Sequence, residues 1–335
     1  MKPRLKQFRV AANMTQAKVA AAVGVTQPNY QRWESGSAPI PEDKLKKLSK
    51  VLKTTPEAIL GRHPPIEAAF YDRDAPEKLQ YYGEVAIHFV GGGASLLLSI
   101  SEAAHSELYR DLQTGGRFVT VESLANQTVV LRTKAISDLY FSSEAYDDFG
   151  PEHETYNHIS LQLPDTRDWE IVERLAVGGE IDDFDPADVE RVQSMVMITD
   201  DQYRQLVADG HIKAEDLEAE RAKNDAKTNQ IFELATDTTY QLSTGQKRRI
   251  YIDGSEAVYE SFWELVEFDG DDQGTIRIPA EGYHRTIFLN PDAVDYITIP
   301  THQFEQGRIE ATADAIDSLE SSEEKGLVTA RGKKR

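Results

Sequence analysis

Side chains that can form hydrogen bonds to DNA bases lie close together near the start of the sequence. Gln27, Asn29 and Arg32 occur within a span of six residues. A glutamine can form two hydrogen bonds to adenine and an arginine can form two to guanine, whereas an asparagine can serve a base or the sugar–phosphate backbone. This chemistry needs a structural element that places the side chains in a groove of the duplex, so the elements around them decide whether they can act.

The charge of the chain is divided unevenly along its length. The 335 residues carry a formal net charge of −20, which alone would argue against a nucleic-acid partner. The segment 1–65 holds 12 Lys and Arg and 4 Asp and Glu, a net charge of +8, and the segment 66–335 holds 25 and 53, a net charge of −28. This asymmetry suggests a basic nucleic-acid-binding module joined to an acidic body whose charge gives solubility.

Helix caps and apolar spacing predict five short helices over residues 1–62. Thr15 is typical of a residue that begins a helix, and Gly24 of one that ends it. Thr26 begins the next helix, which ends near Gly36. The predicted helices are Arg4–Ala12, 16–23, Gln27–Glu34, 41–52 and 56–60. Because the turn at Gly24 allows only a tight corner, the second and third helices have the spacing of a helix-turn-helix, whose second helix lies in the major groove.

The same region resembles the Cro/lambda-repressor (XRE-type) helix-turn-helix, in register, over about residues 3–61. The resemblance rests on Thr15-Gln16, Val19-Ala20, Val23-Gly24-Val25-Thr26-Gln27 and Arg32-Trp33-Glu34-Ser35-Gly36. It covers under a fifth of the chain and implies an all-α, five-helix DNA-binding domain at 1–62.

The resemblance also implies roles for individual residues. Gln16 matches a glutamine that bonds a DNA phosphate, and Arg9 and Glu34 match a charged pair that ties the first helix to the end of the third. The side chains implied to face the groove are Thr26, Gln27, Pro28, Asn29 and Arg32. Among them, Gln27 and Arg32 are the candidates for base recognition.

Other residues of this region have two interpretations each. Pro28 departs from the polar residue that is commoner at its position, and without an N–H it allows only apolar contact. Tyr30 and Trp33 are three residues apart, which favours packing in the core over stacking on bases. Lys44 is the candidate phosphate ligand among the lysines of the fourth helix, although these lysines could simply form a solvated face.

Beyond this domain the sequence predicts an α+β body with an internal repeat. The expected organisation is a helix-turn-helix domain at 1–62, a linker at 63–79, a body at 80–305 and a disordered tail at 306–335, which loses periodicity. Residues 128–136 align with 286–294 at an offset of 158. A β-β-α-β-β-β module is therefore predicted twice, at about 80–142 and 237–300, around a helical spacer at 150–236. Chance similarity between two strand-rich stretches is the alternative.

No catalytic or metal site is predicted. The chain has no cysteine, which excludes disulfides, thiolate zinc sites, iron–sulfur clusters and cysteine nucleophiles. Gly91–Gly93 follow a predicted strand but lead into another strand, whereas a phosphate-binding loop needs a helix. Asp269–Gly274 are similar to a calcium loop, but Ala280 stands where the bidentate glutamate is needed. His153 and His158 are not part of a metal-binding helix motif.

The function expected from these observations is sequence-specific transcriptional regulation by a cytoplasmic repressor that is nucleoid-associated when bound to DNA. The expected partners are double-stranded operator DNA with two-fold symmetry, a second copy in a homodimer, and an unknown effector or partner protein that the body senses. We expect no enzyme activity, no cofactor, no membrane span and no signal peptide. The alternatives are an antitoxin or other interaction protein with a DNA-binding head, and a DNA-targeted, metal-dependent nuclease.

Overall fold

The computed structural model describes residues 3–145, 148–151, 161–268, 274–280 and 285–332. The chain divides into two compact units. The first comprises Met1–Pro65, Asp182–Pro186 and Glu305–Arg335, and the second comprises Ile66–Ile181 and Ala187–Phe304. A five-helix domain followed by a sheet-rich α+β body confirms the predicted multi-domain fold class.

Five short helices form the beginning of the first unit. They are α1 (Leu5–Ala11), α2 (Gln16–Val23), α3 (Gln27–Glu34), α4 (Glu42–Val51) and α5 (Pro56–Ile59). The Thr15 hydroxyl accepts a hydrogen bond from the Lys18 N–H at 3.2 Å, and α2 ends at Gly24 with a φ of +71°. Tyr30 and Trp33 are buried in the hydrophobic core of this unit, as predicted.

Two predicted helix starts differ from the structure in detail. Thr26 precedes α3, but its hydroxyl makes no capping hydrogen bond. Pro28 has no N–H, and the N–H of Asn29 already donates to the Thr26 carbonyl at 3.0 Å, so neither residue offers the hydroxyl a donor. Pro41, predicted as a first helical residue, is instead the residue before α4.

A long helix, α12 (Thr301–Gly332), covers most of the region predicted as a disordered tail. The prediction of disorder over 306–335 is therefore wrong for the residues of this helix. The stretch has no proline and many strong helix formers, and the Gln306 side chain donates to Glu310 one turn later at 2.8 Å. Because polar and apolar residues are mixed along this part of the sequence, it shows no clear helical periodicity.

The second unit contains the strands and the remaining helices. Its strands are β1 (Tyr81–Phe89), β2 (Leu96–Ser101), β3 (Phe118–Ser123), β4 (Gln127–Arg132), β5 (Ile136–Ser143), β6 (Asp237–Leu242), β7 (Lys247–Tyr251), β8 (Ile276–Ala280), β9 (Arg285–Leu289) and β10 (Val294–Pro300). Its helices are α6 (Glu102–Thr114), α7 (Thr166–Val177), α8 (Pro186–Val196), α9 (Asp200–Ala208), α10 (Leu217–Thr236) and α11 (Ser255–Glu267). Eight strands form one sheet in the order β5-β1-β2-β3-β4-β10-β6-β7, and β8 pairs with β9 in a second sheet.

The same order of elements occurs twice in this unit. Two strands, a helix of 13 residues and three further strands make up the first module, β1 to β5, and the second module, β6 to β10. In each module a short 3-10 turn, Thr133–Ala135 or Pro291–Ala293, precedes the last strand. One hydrophobic core lies around Leu108 of α6 and another around Phe262 of α11, and each includes a side chain of the opposite module, Tyr296 of β10 in the first core and Val130 of β4 in the second. Descent of both modules from one ancestor stays a prediction.

One antiparallel strand pair, β4 with β10, joins the two modules within the sheet. We call it the module seam. Its register places Ile297 opposite Val130 and Thr298 opposite Val129. All four side chains are buried, so the seam is part of the hydrophobic interior.

Helices α7 to α10 lie between the two modules in the sequence, as the predicted spacer requires. Thr199 and Gln202 form a capping box at the start of α9. Glu173 on α7 accepts hydrogen bonds from His302 at 3.0 Å and from Gln303 at 2.9 Å, at the beginning of α12. Among the described helices, none combines the length and the hydrophobicity that crossing a membrane requires.

Candidate nucleic-acid interface

The turn between α2 and α3 places α3 at the surface of the first unit. Gly24 supplies the left-handed conformation that this corner needs, and Tyr30 and Trp33 anchor the inner side of α3 in the core. One side of α3 is therefore fixed by packing, and the other is open to a partner.

Most of the residues predicted to face the groove are exposed on α3. Thr26, Gln27, Pro28 and Arg32 are exposed, and Asn29 is half-buried. Arg32 donates a hydrogen bond through Nη2 to the Asn29 side-chain oxygen. The structure thus brings together the candidates for base recognition on one helix of eight residues.

Arg9 and Glu34 form a buried ion pair that ties α1 to the end of α3. Arg9 Nε lies 2.8 Å from Glu34 Oε1, and Arg9 Nη1 also donates to the Met14 carbonyl at 3.1 Å. Burial opposes the charge of Arg9, but the hydrogen bond and the negative charge of Glu34 outweigh it, so the pKa of Arg9 is raised. The Arg9 guanidinium is therefore charged, and its contact with Glu34 fixes two helices of the domain relative to each other.

Glu34 also receives two further donors. The Gln16 side chain donates to Glu34 Oε2 at 2.5 Å, and the Tyr30 hydroxyl donates to Oε1 at 3.3 Å. Burial and the charge of Glu34 raise the pKa of Tyr30, so its hydroxyl remains protonated and a donor. The amide of Gln16, the residue predicted to contact a phosphate, is thus held inside the domain, and its backbone N–H remains at the first position of α2.

That backbone N–H holds an anion, the carboxylate of Asp317 on α12. Asp317 Oδ1 accepts from the Gln16 N–H at 3.1 Å and from Arg9 Nη1 at 3.4 Å, and Oδ2 lies 3.4 Å from Arg9 Nη2. A helix N-terminus beside a guanidinium is a favourable place for any oxyanion, including a phosphate. A side chain of the chain itself therefore occupies the N-terminus of α2, beside the residue for which the resemblance implies a phosphate contact.

Sequence reasoning did not find Asp317, because it placed this residue in a disordered tail. Charge was the signal that could have found it. Acidic side chains outnumber basic ones by five to one over 305–320, whereas the segment 1–65 carries a net charge of +8. Opposite charges on two segments of one chain favour contact between them.

Lys44 lies on α4 and contacts the end of α2. Its Nζ donates to the Val23 carbonyl at 3.1 Å and to the Gly24 carbonyl at 3.3 Å. A cation at the C-terminus of a helix neutralises the last carbonyls, so this contact stabilises the corner between α2 and α3. A phosphate contact by the same side chain stays a prediction.

Within the described ranges, no group of three or more His, Asp or Glu side chains could hold a metal ion. Gly91–Gly93 connect β1 to β2, so no helix follows them to bind a phosphate. His153, His158 and Asp269–Asp272 lie outside the described residues.

Comparison with protein families agrees with this geometry. Residues 5–59 match the helix-turn-helix family model, which supports the XRE-type DNA-binding domain predicted from the sequence. Searches among curated proteins and among solved structures found no match to the chain.

Proposed function

We propose that this protein is a transcriptional repressor that recognises a specific operator sequence through α3 in the major groove. The observation that carries the proposal is the exposure of Gln27 and Arg32 on the helix that follows the tight turn at Gly24. Gln27 would bond adenine and Arg32 would bond guanine, each through two hydrogen bonds. On contact with DNA, Arg32 would exchange its hydrogen bond to Asn29 for one to a base.

The distribution of charge supports sequence-specific rather than non-specific binding to DNA. A domain with a net charge of +8 is attracted to the phosphate backbone, while a remainder with −28 is repelled by it. Contact is thereby confined to the helix-turn-helix domain, and non-specific affinity is reduced because fewer phosphates are neutralised.

We further propose that two copies bind together and that the body supplies the contact between them or receives a signal. Helix-turn-helix proteins that bind as dimers place two recognition helices in successive major grooves, which produces operators with two-fold symmetry. The body would act through binding and not through catalysis.

The contact of Asp317 adds a condition to this mechanism. A DNA phosphate at the start of α2 would need the Gln16 N–H that the Asp317 carboxylate occupies. DNA binding would therefore require this carboxylate to leave, and the domain would exchange a closed state for an open one.

Selection of duplexes from a random library by the full-length protein tests the proposal. A repressor should enrich one motif and bind it about 10³-fold or more tightly than a shuffled duplex of the same composition. No enrichment, or equal affinity for both duplexes, would contradict sequence-specific recognition. Incubation of supercoiled plasmid with the protein and Mg²⁺ should leave the plasmid intact, and metal-dependent nicking would instead indicate a nuclease.

A further inference from the structure

The last three strands of the two modules are equivalent at a constant spacing in the sequence. The offset that aligns 128–136 with 286–294 takes β4 to β9 and β5 to β10. Within each module the last strand pairs with the first strand, β5 with β1 and β10 with β6. Both pairings contain a bulge at the same place, which skips Ser137 in one module and Asp295 in the other. The equivalence therefore extends to details of the hydrogen-bond register.

The module seam uses one strand from each module, and, in the ranges that the structure describes, the equivalent strands of the opposite modules do not pair with each other. It joins β4 of the first module to β10 of the second. The equivalents of these strands in the opposite modules are β9 and β5. Among the described residues, β9 pairs only with β8, and β5 pairs only with β1. One outer edge of each strand thus has no partner strand in the described part of the chain.

One side chain on each of these two strands is exposed where its equivalent in the module seam is buried. Phe288 on β9 is 67% exposed, whereas its equivalent in the seam, Val130, is 1% exposed. Tyr140 on β5 is 39% exposed, whereas its equivalent, Thr298, is 4% exposed. A large apolar side chain on an unpaired strand edge favours pairing with another strand.

We propose that β5 of one copy pairs with β9 of a second copy and repeats the module seam between chains. Transferring the seam register by the same offset places Leu139 opposite Phe288 and Tyr140 opposite Ile287. The partner is a second copy because one chain carries both complementary edges, and because the chain already forms the same strand pair within itself. The inference deepens the assembly part of the proposed function and rests on that part alone, not on DNA recognition.

This contact is head-to-tail, because two different edges meet. Two chains that make it reciprocally close into a ring with a two-fold axis, and rings of more chains close in the same way at other rotation angles. Either form buries every exposed Phe288 in a strand pair. A symmetric contact of β5 with β5, or of β9 with β9, would leave one type of edge open.

Cysteine cross-linking tests the contact, since the chain has no cysteine of its own. Full-length Leu139→Cys and Phe288→Cys variants are co-expressed and oxidised, and Tyr140→Cys with Ile287→Cys provides the neighbouring pair. Two cysteine pairs are needed because the distance between opposite Cα atoms alternates between a wide and a close value along an antiparallel pair, and one of the two spacings suits a disulfide better. A covalent two-chain product should form in at least one mixture and should be absent when either variant is oxidised alone.

A shifted pair controls for the register. Leu139→Cys with Arg285→Cys moves one cysteine three residues along β9, about 10 Å away, so no product should form. Products from a single variant alone, or equal products from the matched and shifted pairs, would overturn the proposal.

The mass of the protein in solution gives a second test. Phe288→Glu should reduce the wild-type assembly to the mass of one chain in light scattering, while circular dichroism remains unchanged. Phe268→Glu is the matched control, because Phe268 is equally exposed at 67% but lies after α11. A wild-type protein of single-chain mass, or a Phe288→Glu variant of undiminished mass, would overturn the contact and leave DNA recognition untouched.

Discussion

Replacing Asp317 with asparagine should strengthen DNA binding, although Asp317 lies on α12 and outside the helix-turn-helix. The Asp317 carboxylate accepts a hydrogen bond from the Gln16 N–H and lies beside the Arg9 guanidinium. Asparagine has nearly the same shape, but it carries no charge and holds these donors less tightly. The closed state of the domain therefore loses stability relative to the state that is open to a phosphate.

The size of the effect follows from the geometry of this contact. A hydrogen bond to a charged group contributes about 1.5–3 kcal/mol when it is shielded from water. The Asp317 side chain is 34% exposed, which reduces the contribution to about 1 kcal/mol. A closed state favoured by about 1 kcal/mol leaves about one molecule in six open, so weakening the contact should raise the apparent affinity for DNA about three- to sixfold. The upper value applies when the closed state is lost altogether.

Fluorescence anisotropy with a labelled duplex from the selection experiment measures this change at fixed ionic strength. Asp314→Asn is the matched control, because Asp314 is exposed on the same helix and its loss changes the net charge equally. Asp314→Asn should alter the affinity by much less than Asp317→Asn. Hydrogen exchange adds an independent measurement, since the Gln16 amide should lose protection in Asp317→Asn.

Two results would refute the reasoning about Asp317. Equal gains in affinity for Asp317→Asn and Asp314→Asn would mean that only the net charge matters. An unchanged affinity together with a loss of protection at Gln16 would mean that the start of α2 is not where DNA binds.

Three further predictions concern the domain and the body. Arg32→Ala should reduce discrimination between operator and shuffled DNA by about 1–3 kcal/mol, measured as a ratio of Kd values, while the exposed neighbour Gln31→Ala should not. Glu34→Gln should destabilise α1 to α3 by about 3 kcal/mol in denaturant-dependent hydrogen exchange, because it leaves buried Arg9 with only the more distant Asp317 carboxylate as a counter-charge. Burial alone would raise the pKa of Glu173, but the hydrogen bonds that it accepts outweigh burial and lower this pKa. The free energy of unfolding should therefore fall as the pH drops through the lowered value, and this contribution should be absent in Glu173→Gln.

The helix-turn-helix could be predicted from the sequence because its signals are local. Thr15 and Gly24 mark the ends of α2 through backbone chemistry that needs no distant partner. The order of strands and helices in the two modules was predictable for the same reason, since strand and turn signals depend on neighbouring residues.

Contacts between distant parts of the chain could not be predicted in this way. The pairing of β4 with β10 depends on the packing of two modules, and nothing in either strand alone specifies its partner. The contact of Asp317 with Gln16 spans 301 residues. Lys44 shows the same limit at shorter range, because its bond to the Val23 carbonyl depends on how α4 packs beside α2.

The acidic charge of the chain thus has two separate consequences for DNA binding. Spread over the body, it opposes non-specific adhesion, and salt should weaken this long-range repulsion. Concentrated in Asp317, it competes with a phosphate for one N–H group at close range, where screening by salt is weaker. The ratio of the DNA affinity of Asp317→Asn to that of the wild type should therefore change less with salt than either affinity does. If the two affinities instead became equal at moderate salt, the effect would be one of net charge.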